Sequence, residues 1–386
     1  MKFLLAICFY VLQPILWVGI IRAFLIHTNR VKRERQIFNS AIYEEFYEGR
    51  HFIRSGLIMG IIFSLVCGFL VTVSGQWLLI YEGLCLIGVM LVPWQILGVT
   101  AAGLAGIIAL LIPKSFPGQP MTGWSSKLGL TNQPTASVNY LLVLVLIIFM
   151  TGLFIRANGG RFDSPAISRN KRNNKVAVYP FNELTIMPFL MLLPGDWFKS
   201  GFSFIPLFQL NGHSFAVLLV PVLIGLKLTV RKSNPREFFK NLGKLMLVVA
   251  GIGVLMVVGV MINHALALPA MLCLMICYYG VVVITKRRDL KQSFEYSEVM
   301  DGIRVIGIRP GTPAAKMNLS VGDVILTVND IQVTNEDQFY RALSTSPTYC
   351  RFKVRDRNDQ LKMTESAIFK NSPHEIGVKT YSQSIK

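Results

Sequence analysis

Charge is scarce in this chain. Of its 386 residues only 16% are Asp, Glu, Lys or Arg, while 52% are hydrophobic. With a mean hydropathy of +0.49, the chain is too apolar for a soluble protein and a polytopic membrane protein is expected. Histidine is rarer still: none of the five, His27, His51, His213, His264 and His374, opens a His-Glu-x-x-His. The paired imidazoles and Glu base of a zinc protease are therefore missing. His264 has no serine partner for nucleophilic catalysis, and no Walker-type or G-x-G-x-x-G phosphate loop occurs. The six cysteines (Cys8, Cys67, Cys85, Cys273, Cys277, Cys350) include no C-x-x-C. Cys273 and Cys277 lie one helical turn apart without a second ligand pair, so they read as small apolar residues rather than a metal site. Glu82, Asp196 and Lys227 fall near the ends of apolar runs. That placement counts against a transporter, whose ion path needs charge at mid-membrane. The expectation is a non-enzymatic protein with no catalytic residue, cofactor or metal.

What is present is basic charge in short loops between long apolar runs. Before Lys291 the chain holds 26 basic and 10 acidic residues; from Lys291 on it holds 13 and 11. Such asymmetry is the ordinary topology signal and weighs against nucleic acid as a partner. Apolar spans are expected at 3–26, 55–74, 77–92, 95–112, 137–155, 184–198, 213–230, 245–262 and 266–285. The 77–112 run must be split near Pro93-Trp94-Gln95, because 36 residues of helix would extend ~54 Å against a ~30 Å hydrocarbon core. Gly98, Ala102 and Gly106 put a small-residue face on its second half. Arg30, Lys32, Arg33 and Arg35 place loop 27–54 in the cytoplasm, with Tyr43–Glu48 expected as a short amphipathic helix. Six basic residues between Arg156 and Lys175 do the same for 156–183, and Arg231–Lys244 for 231–244. Loop 113–136, poor in charge, is expected outside. Parity between 156–183 and 231–244 requires two crossings, so the Pro-broken run LTIMPFLMLLPGDWF (184–198) is assigned as one of them and as the most irregular element. Lys286, Arg287 and Arg288 keep the remaining C-terminal part in the cytoplasm.

That C-terminal part carries the specific signature. In Gly302–Asp330, GIRVIGIRPGTPAAKMNLSVGDVILTVND, a period-two strand ends at Pro310-Gly311. A short helix at Pro313–Leu319 comes next, then a Gly322-Asp323 turn, strand Val324–Val328 and a turn at Asn329-Asp330. Asn335–Leu343 suits a longer helix, with Phe339 and Leu343 on one face, and Arg351–Val354 and Gln360–Ser366 alternate as strands. The pattern resembles a bacterial PDZ domain, a module that takes extended peptides as an added strand. Gly311, Gly322 and Asp323 read as turn residues. Ile376-Gly377-Val378 reads either as the carboxylate-binding loop of a permuted PDZ domain or as a plain strand end. The domains expected are a multi-span membrane part (1–285), a basic linker (286–293) and a cytoplasmic PDZ-like domain (294–386). The fold class expected is an all-α polytopic transmembrane helical bundle of about 8–9 spans, followed by a small α+β PDZ-like domain.

This layout, together with the LLPGDW run, resembles the MinJ-like division-site determinants of rod-shaped Gram-positive bacteria. The resemblance implies a bilayer-bound scaffold at septa and poles that bridges DivIVA-like and MinD-like proteins and restrains the FtsZ ring. The residues alone leave open a membrane adaptor that regulates or feeds a separate protease or secretion machine, and a transporter with a regulatory PDZ domain. Single cysteines placed in 156–183 are expected to react with maleimides only after the cell is permeabilised; labelling of intact cells there would overturn the topology.

Overall fold

The computed structural model describes residues 2–91, 97–111, 135–162, 164–199, 214–293, 296–346, 348–368 and 376–381. Most of loop 113–136, the Pro93-Trp94-Gln95 break, His213 and His374 lie outside them. Pro14 shapes the first element. Helices α1 (Lys2–Leu12) and α2 (Pro14–Phe38) meet at 49°, because proline lacks the N–H that would continue the ladder and its ring crowds the preceding turn. The single span expected at 3–26 is thus a bent pair. Helix α2 runs on to Phe38 and stops at Asn39, which adopts φ 57°.

Residues 39–46 are not the amphipathic helix expected there; α3 (Tyr47–Cys67) begins only after them. Side chains of α2 hold this segment instead. Glu34 Oε2 accepts from the Ile42 and Tyr43 N–H groups at 2.7 and 3.3 Å, and Arg30 donates to the Tyr43 and Glu45 carbonyls at 2.8 and 3.2 Å. Those backbone groups therefore find partners without a helix. Two short apolar helices come next, α4 (Gly75–Leu91) and α5 (Leu97–Leu111), then α6 (Ser137–Asn158).

The count of eight or nine membrane spans does not survive. Among the described residues four helices are long and apolar enough to cross a membrane: Tyr47–Cys67, Ser137–Asn158, Pro235–Ile262 and His264–Lys291. The bent first pair makes five. At 17 and 15 residues, α4 and α5 extend ~26 and ~22 Å, short of a ~30 Å core.

The bundle is also not all-α. The two crossings assigned to 184–198 and 213–230 are strands. Strand β2 (Lys175–Lys199) pairs antiparallel with β3 (Ser214–Val230), and β1 (Ala166–Arg169) lies on the other edge of β2 near its start. This hairpin runs through the middle of the helices. Met187, Met191, Leu193, Leu218, Val220 and Val222 are all fully buried. A strand covered on both faces shows no polar alternation, so its sequence is indistinguishable from an apolar span. Like a pair of crossings, a hairpin returns the chain to the face it left, so charge parity does not separate the two.

Proline spacing and small residues explain why this backbone is stable there. Pro188 faces Pro221 across the ladder, and Pro180 and Pro194 face Thr229 and Phe215 in the same register. All three prolines of β2 are separated by even numbers of residues, so they share one edge of the strand, where nitrogens point away from β3. That edge meets α3. Its Gly56, Gly60 and Ser64 lie four apart, Gly68 comes four later, and the glycines abut the backbone of Ile186, Pro188 and Leu190. Ser64 Oγ accepts the Leu190 N–H at 2.9 Å and donates to the Pro188 carbonyl at 3.2 Å. Leu192 continues the pattern by pairing with Val71 and Val73, both at 2.9 Å. On the opposite edge, Leu223 donates to the buried Tyr81 hydroxyl at 3.0 Å, and its carbonyl fills the space where Gly98 has no side chain. The N–H groups of Leu190, Leu192 and Leu223 and the carbonyls of Pro188 and Leu192 thus find partners within the protein, as backbone away from water must.

Helices α7 (Pro235–Ile262) and α8 (Ala267–Lys291) close the bundle. Residues 286–291 are the last turns of α8 rather than a separate linker. The buried Asp289 there accepts from the backbone N–H groups of Arg231, Lys232 and Ser233 at 2.9–3.1 Å, fixing α8 to the β3–α7 turn. The C-terminal unit comprises β4 (Ile303–Arg304), β5 (Gly307–Ile308), α9 (Pro313–Lys316), β6 (Val324–Val328) and β7 (Ile331–Gln332). It continues with α10 (Glu336–Ser344), β8 (Tyr349–Arg355), β9 (Leu361–Ala367) and β10 (Val378–Lys379). One sheet runs β4-β6-β8-β9 with β7 on β6, and β10 pairs with β5. Val305, Ile325, Phe339 and Phe352 fill its core.

Gly98→Ala would drive a methyl into the Leu223 carbonyl, and Gly60→Ala one into that of Pro188. Each is expected to cost about 1–3 kcal/mol and lower the melting temperature of the detergent-solubilised chain. Gly251→Ala, whose added carbon meets nothing within 4 Å, is the control and leaves it unchanged or raised.

Candidate functional site

A cleft of about 400 Å³ lies between β10 and α10, bounded by Val378, Lys379 and Thr380 on one wall and by Glu336 and Tyr340 on the other. Helix α10 forms because Asn335 caps it, its Oδ1 accepting the Gln338 N–H at 2.9 Å, with Glu336 and Asp337 in the first turn favouring the helix dipole. Phe339 and Ala342 face the core, which turns Tyr340 toward the cleft. Strand β10 pairs with β5 along one edge. Gly377 and Lys379 carbonyls accept from Arg309 and Ile306 at 2.8 and 2.9 Å. Among the described residues no strand pairs with its other edge. An extended peptide could add there, main chain to main chain, with side chains reaching α10.

Of the Ile376-Gly377-Val378 triplet, Val378 lines this cleft, while Ile376 and Gly377 precede it in the chain outside the lining. The Ile376 carbonyl accepts the Ala314 N–H at 3.0 Å, which ties the triplet to the start of α9. Gly377 adopts φ +90°, and a Cβ there would meet Thr312 Oγ1 at 1.9 Å. Gly311 and Gly322, at φ +74° and +104°, lie in turns away from the cleft. Asp323 is buried; its Oδ2 accepts from the Ser320 N–H at 2.9 Å and pairs with Lys362 Nζ at 2.6 Å.

Reading the sequence alone misses Lys379, Thr380, Glu336 and Tyr340, although the run Val378-Lys379-Thr380 directly after the triplet is the strand signal that could have found the first two. The border formed by α2 has no local signal at all. Ile37–Ser40, at and just past the end of α2, border the cleft, and Lys379 Nζ donates to Ser40 Oγ at 2.7 Å. Arg309 pairs with Glu44 at 2.9 Å. The C-terminal unit also sits on the base of the hairpin. Tyr179 donates to the Ile306 carbonyl at 3.0 Å, and the Ala177 N–H reaches the Tyr381 hydroxyl at 2.7 Å. Tyr381 in turn donates to the Tyr296 carbonyl at 2.5 Å. Burial raises the Tyr381 phenol above its ordinary range, so it remains a donor. Burial likewise pushes the Cys350 thiol up to about 11, which keeps it protonated and unreactive at neutral pH.

Residues 280–354 match the family model described as a PDZ domain. The "Probable cell division topological determinant MinJ" of Lacticaseibacillus paracasei is 25% identical over 370 residues, covering 94% of each chain. By sequence this chain is similar to that MinJ protein over nearly its whole length. The "Cell division topological determinant MinJ" of Bacillus subtilis (strain 168) is 24% identical over 383 residues, covering 96% of this chain and 92% of that one. The similarity to MinJ therefore takes in the helices and the buried hairpin as well as the PDZ domain.

Gly377→Ala combines a left-handed φ with a clash against Thr312, and is expected to destabilise the PDZ domain by roughly 2–4 kcal/mol. Limited proteolysis of the full-length protein would show it as faster cleavage within 296–381; unchanged cleavage would contradict the strained geometry.

Proposed function

We propose that this protein is a non-enzymatic membrane scaffold that helps select the division site, with the β10–α10 cleft capturing an extended segment of a partner. The observation that carries this reading is the similarity to two proteins named as cell division topological determinants, which extends through both the apolar helices and the PDZ domain. Partners of the DivIVA and MinD type fit the reading, with the scaffold joining a protein that marks poles and septa to one that inhibits division there. The PDZ domain faces the cytoplasm. Supporting this, it packs beside the basic ends of the helices: its Tyr296 and Asp356 line one hollow with Asn234, Pro235 and Arg236 at the start of α7. Lys286, Arg287 and Arg288 on the last turns of α8 lead directly into it.

A fluorescent fusion at the native locus is expected to concentrate at septa and poles, and deletion to misplace septa. Uniform membrane signal with normal septa would remove the division reading, and stable co-purification with a membrane protease instead would favour an adaptor. Tyr340→Asp, which charges the cleft wall, is expected to reduce partner co-purification about tenfold without lowering the amount of protein in the membrane.

A further inference from the structure

A separate cavity, of about 300 Å³, lies inside the bundle near the PDZ side, between α2, the start of α3, the end of α6, the base of the hairpin and the start of α7. Its charged lining consists of Arg22, Arg30, Arg33 and Lys227 against Glu48 and Glu183. Both acids are already engaged. Glu48 Oε1 accepts from Arg30 Nε at 2.5 Å and its Oε2 lies 3.3 Å from His27, while Glu183 Oε2 lies 2.9 Å from His51 Nδ1. Arg30 is saturated, since it also donates to Glu34 behind the cavity at 3.0 Å. Arg22, Arg33 and Lys227 form no ion pair with any carboxylate of the described residues. Arg33 donates one Nη to Ser164 Oγ at 3.0 Å, but its Nε is buried with no acceptor. A buried guanidinium N–H without an acceptor is costly, and an anionic oxygen entering the cavity would relieve it.

The shape of the lining says more about that anion. Arg22, Ile26, Arg30 and Arg33 follow one face of α2, and Arg22 to Arg33 covers ~16 Å along the axis. The face starts at Arg22 inside the apolar run of α2, which continues to Ile26, and extends past its end. Ile26, Phe181 and Phe239 line the cavity together with the cations, which suits a ligand that carries both a charged and an apolar part. Basic pockets between membrane helices on the cytoplasmic side hold the head groups of anionic lipids, and the bilayer supplies them at high local concentration. We propose that this cavity binds the phosphate of an anionic phospholipid from the leaflet on the PDZ side, with Arg22, Arg33 and Lys227 as its ligands. The proposal rests on the membrane placement above but not on the division role.

The full-length protein, reconstituted in phosphatidylcholine nanodiscs with and without phosphatidylglycerol, supplies the test. Phosphatidylglycerol is expected to raise the melting temperature and to remain bound through native mass spectrometry. Retention should fall roughly fivefold for each cation removed, in Lys227→Gln and further in Arg22→Gln with Arg33→Gln. Lys286→Gln with Arg287→Gln, outside the cavity, should retain it fully. Equal retention in wild type and in Lys227→Gln would overturn the site even if the arginine variants fail to fold. So would equal stabilisation by phosphatidylcholine alone. Protection by millimolar inorganic phosphate as strong as that by the lipid would overturn the lipid assignment in favour of a free anion.

Discussion

The fold depends on keeping a bare β-hairpin dry. A two-stranded ribbon inside a membrane bundle has two open edges, and each unsatisfied backbone group there would cost several kcal/mol. This chain removes the need for some groups and supplies partners for others. Prolines at 188 and 221 have no N–H to satisfy. Ser64, Tyr81 and the Val71–Val73 backbone take up groups of Leu190, Leu223 and Leu192. The small residues on α3 and Gly98 on α5 then let helices close directly over the strand edges.

The same hairpin joins the two halves of the molecule. Its buried middle belongs to the helical bundle, while its base, at Ala177 and Tyr179, is bonded to Tyr296, Ile306 and Tyr381 of the PDZ side. The PDZ domain is therefore seated on an element continuous with the membrane core. The end of α2 forms one border of its cleft, so a partner peptide would meet both the PDZ domain and a membrane helix. Arg30 and Glu34 strengthen this arrangement by holding residues 39–46 in place from inside α2. A buried network of this kind specifies one arrangement only while every member is satisfied.

Legibility in the sequence follows the range of the interactions involved. The PDZ elements are readable where local rules set them: alternation in β6, turns at Gly311 and Gly322, the Asn335 cap. The single strand expected over Ile303–Ile308 is instead two short strands, β4 and β5, with different partners. Gly98 and Gly106 mark a close-packed face in the sequence, and the structure packs both tightly. The Ile376-Gly377-Val378 triplet is readable as a position, but its cleft is not. Tyr340 and Val378 belong to different elements, with two strands between them in the chain, and they line one cleft only once the domain has folded.

By itself, the sequence determined that the chain is membrane-embedded, where basic loops interrupt it, and that a PDZ-like unit ends it. Composition and short-range pattern carry those facts. Only tertiary structure decided that 175–199 and 214–230 are strands, since burial on both faces erases the period-two signal. It alone placed the PDZ domain on the hairpin base and left Arg22, Arg33 and Lys227 around one cavity, because those contacts join residues far apart in the chain.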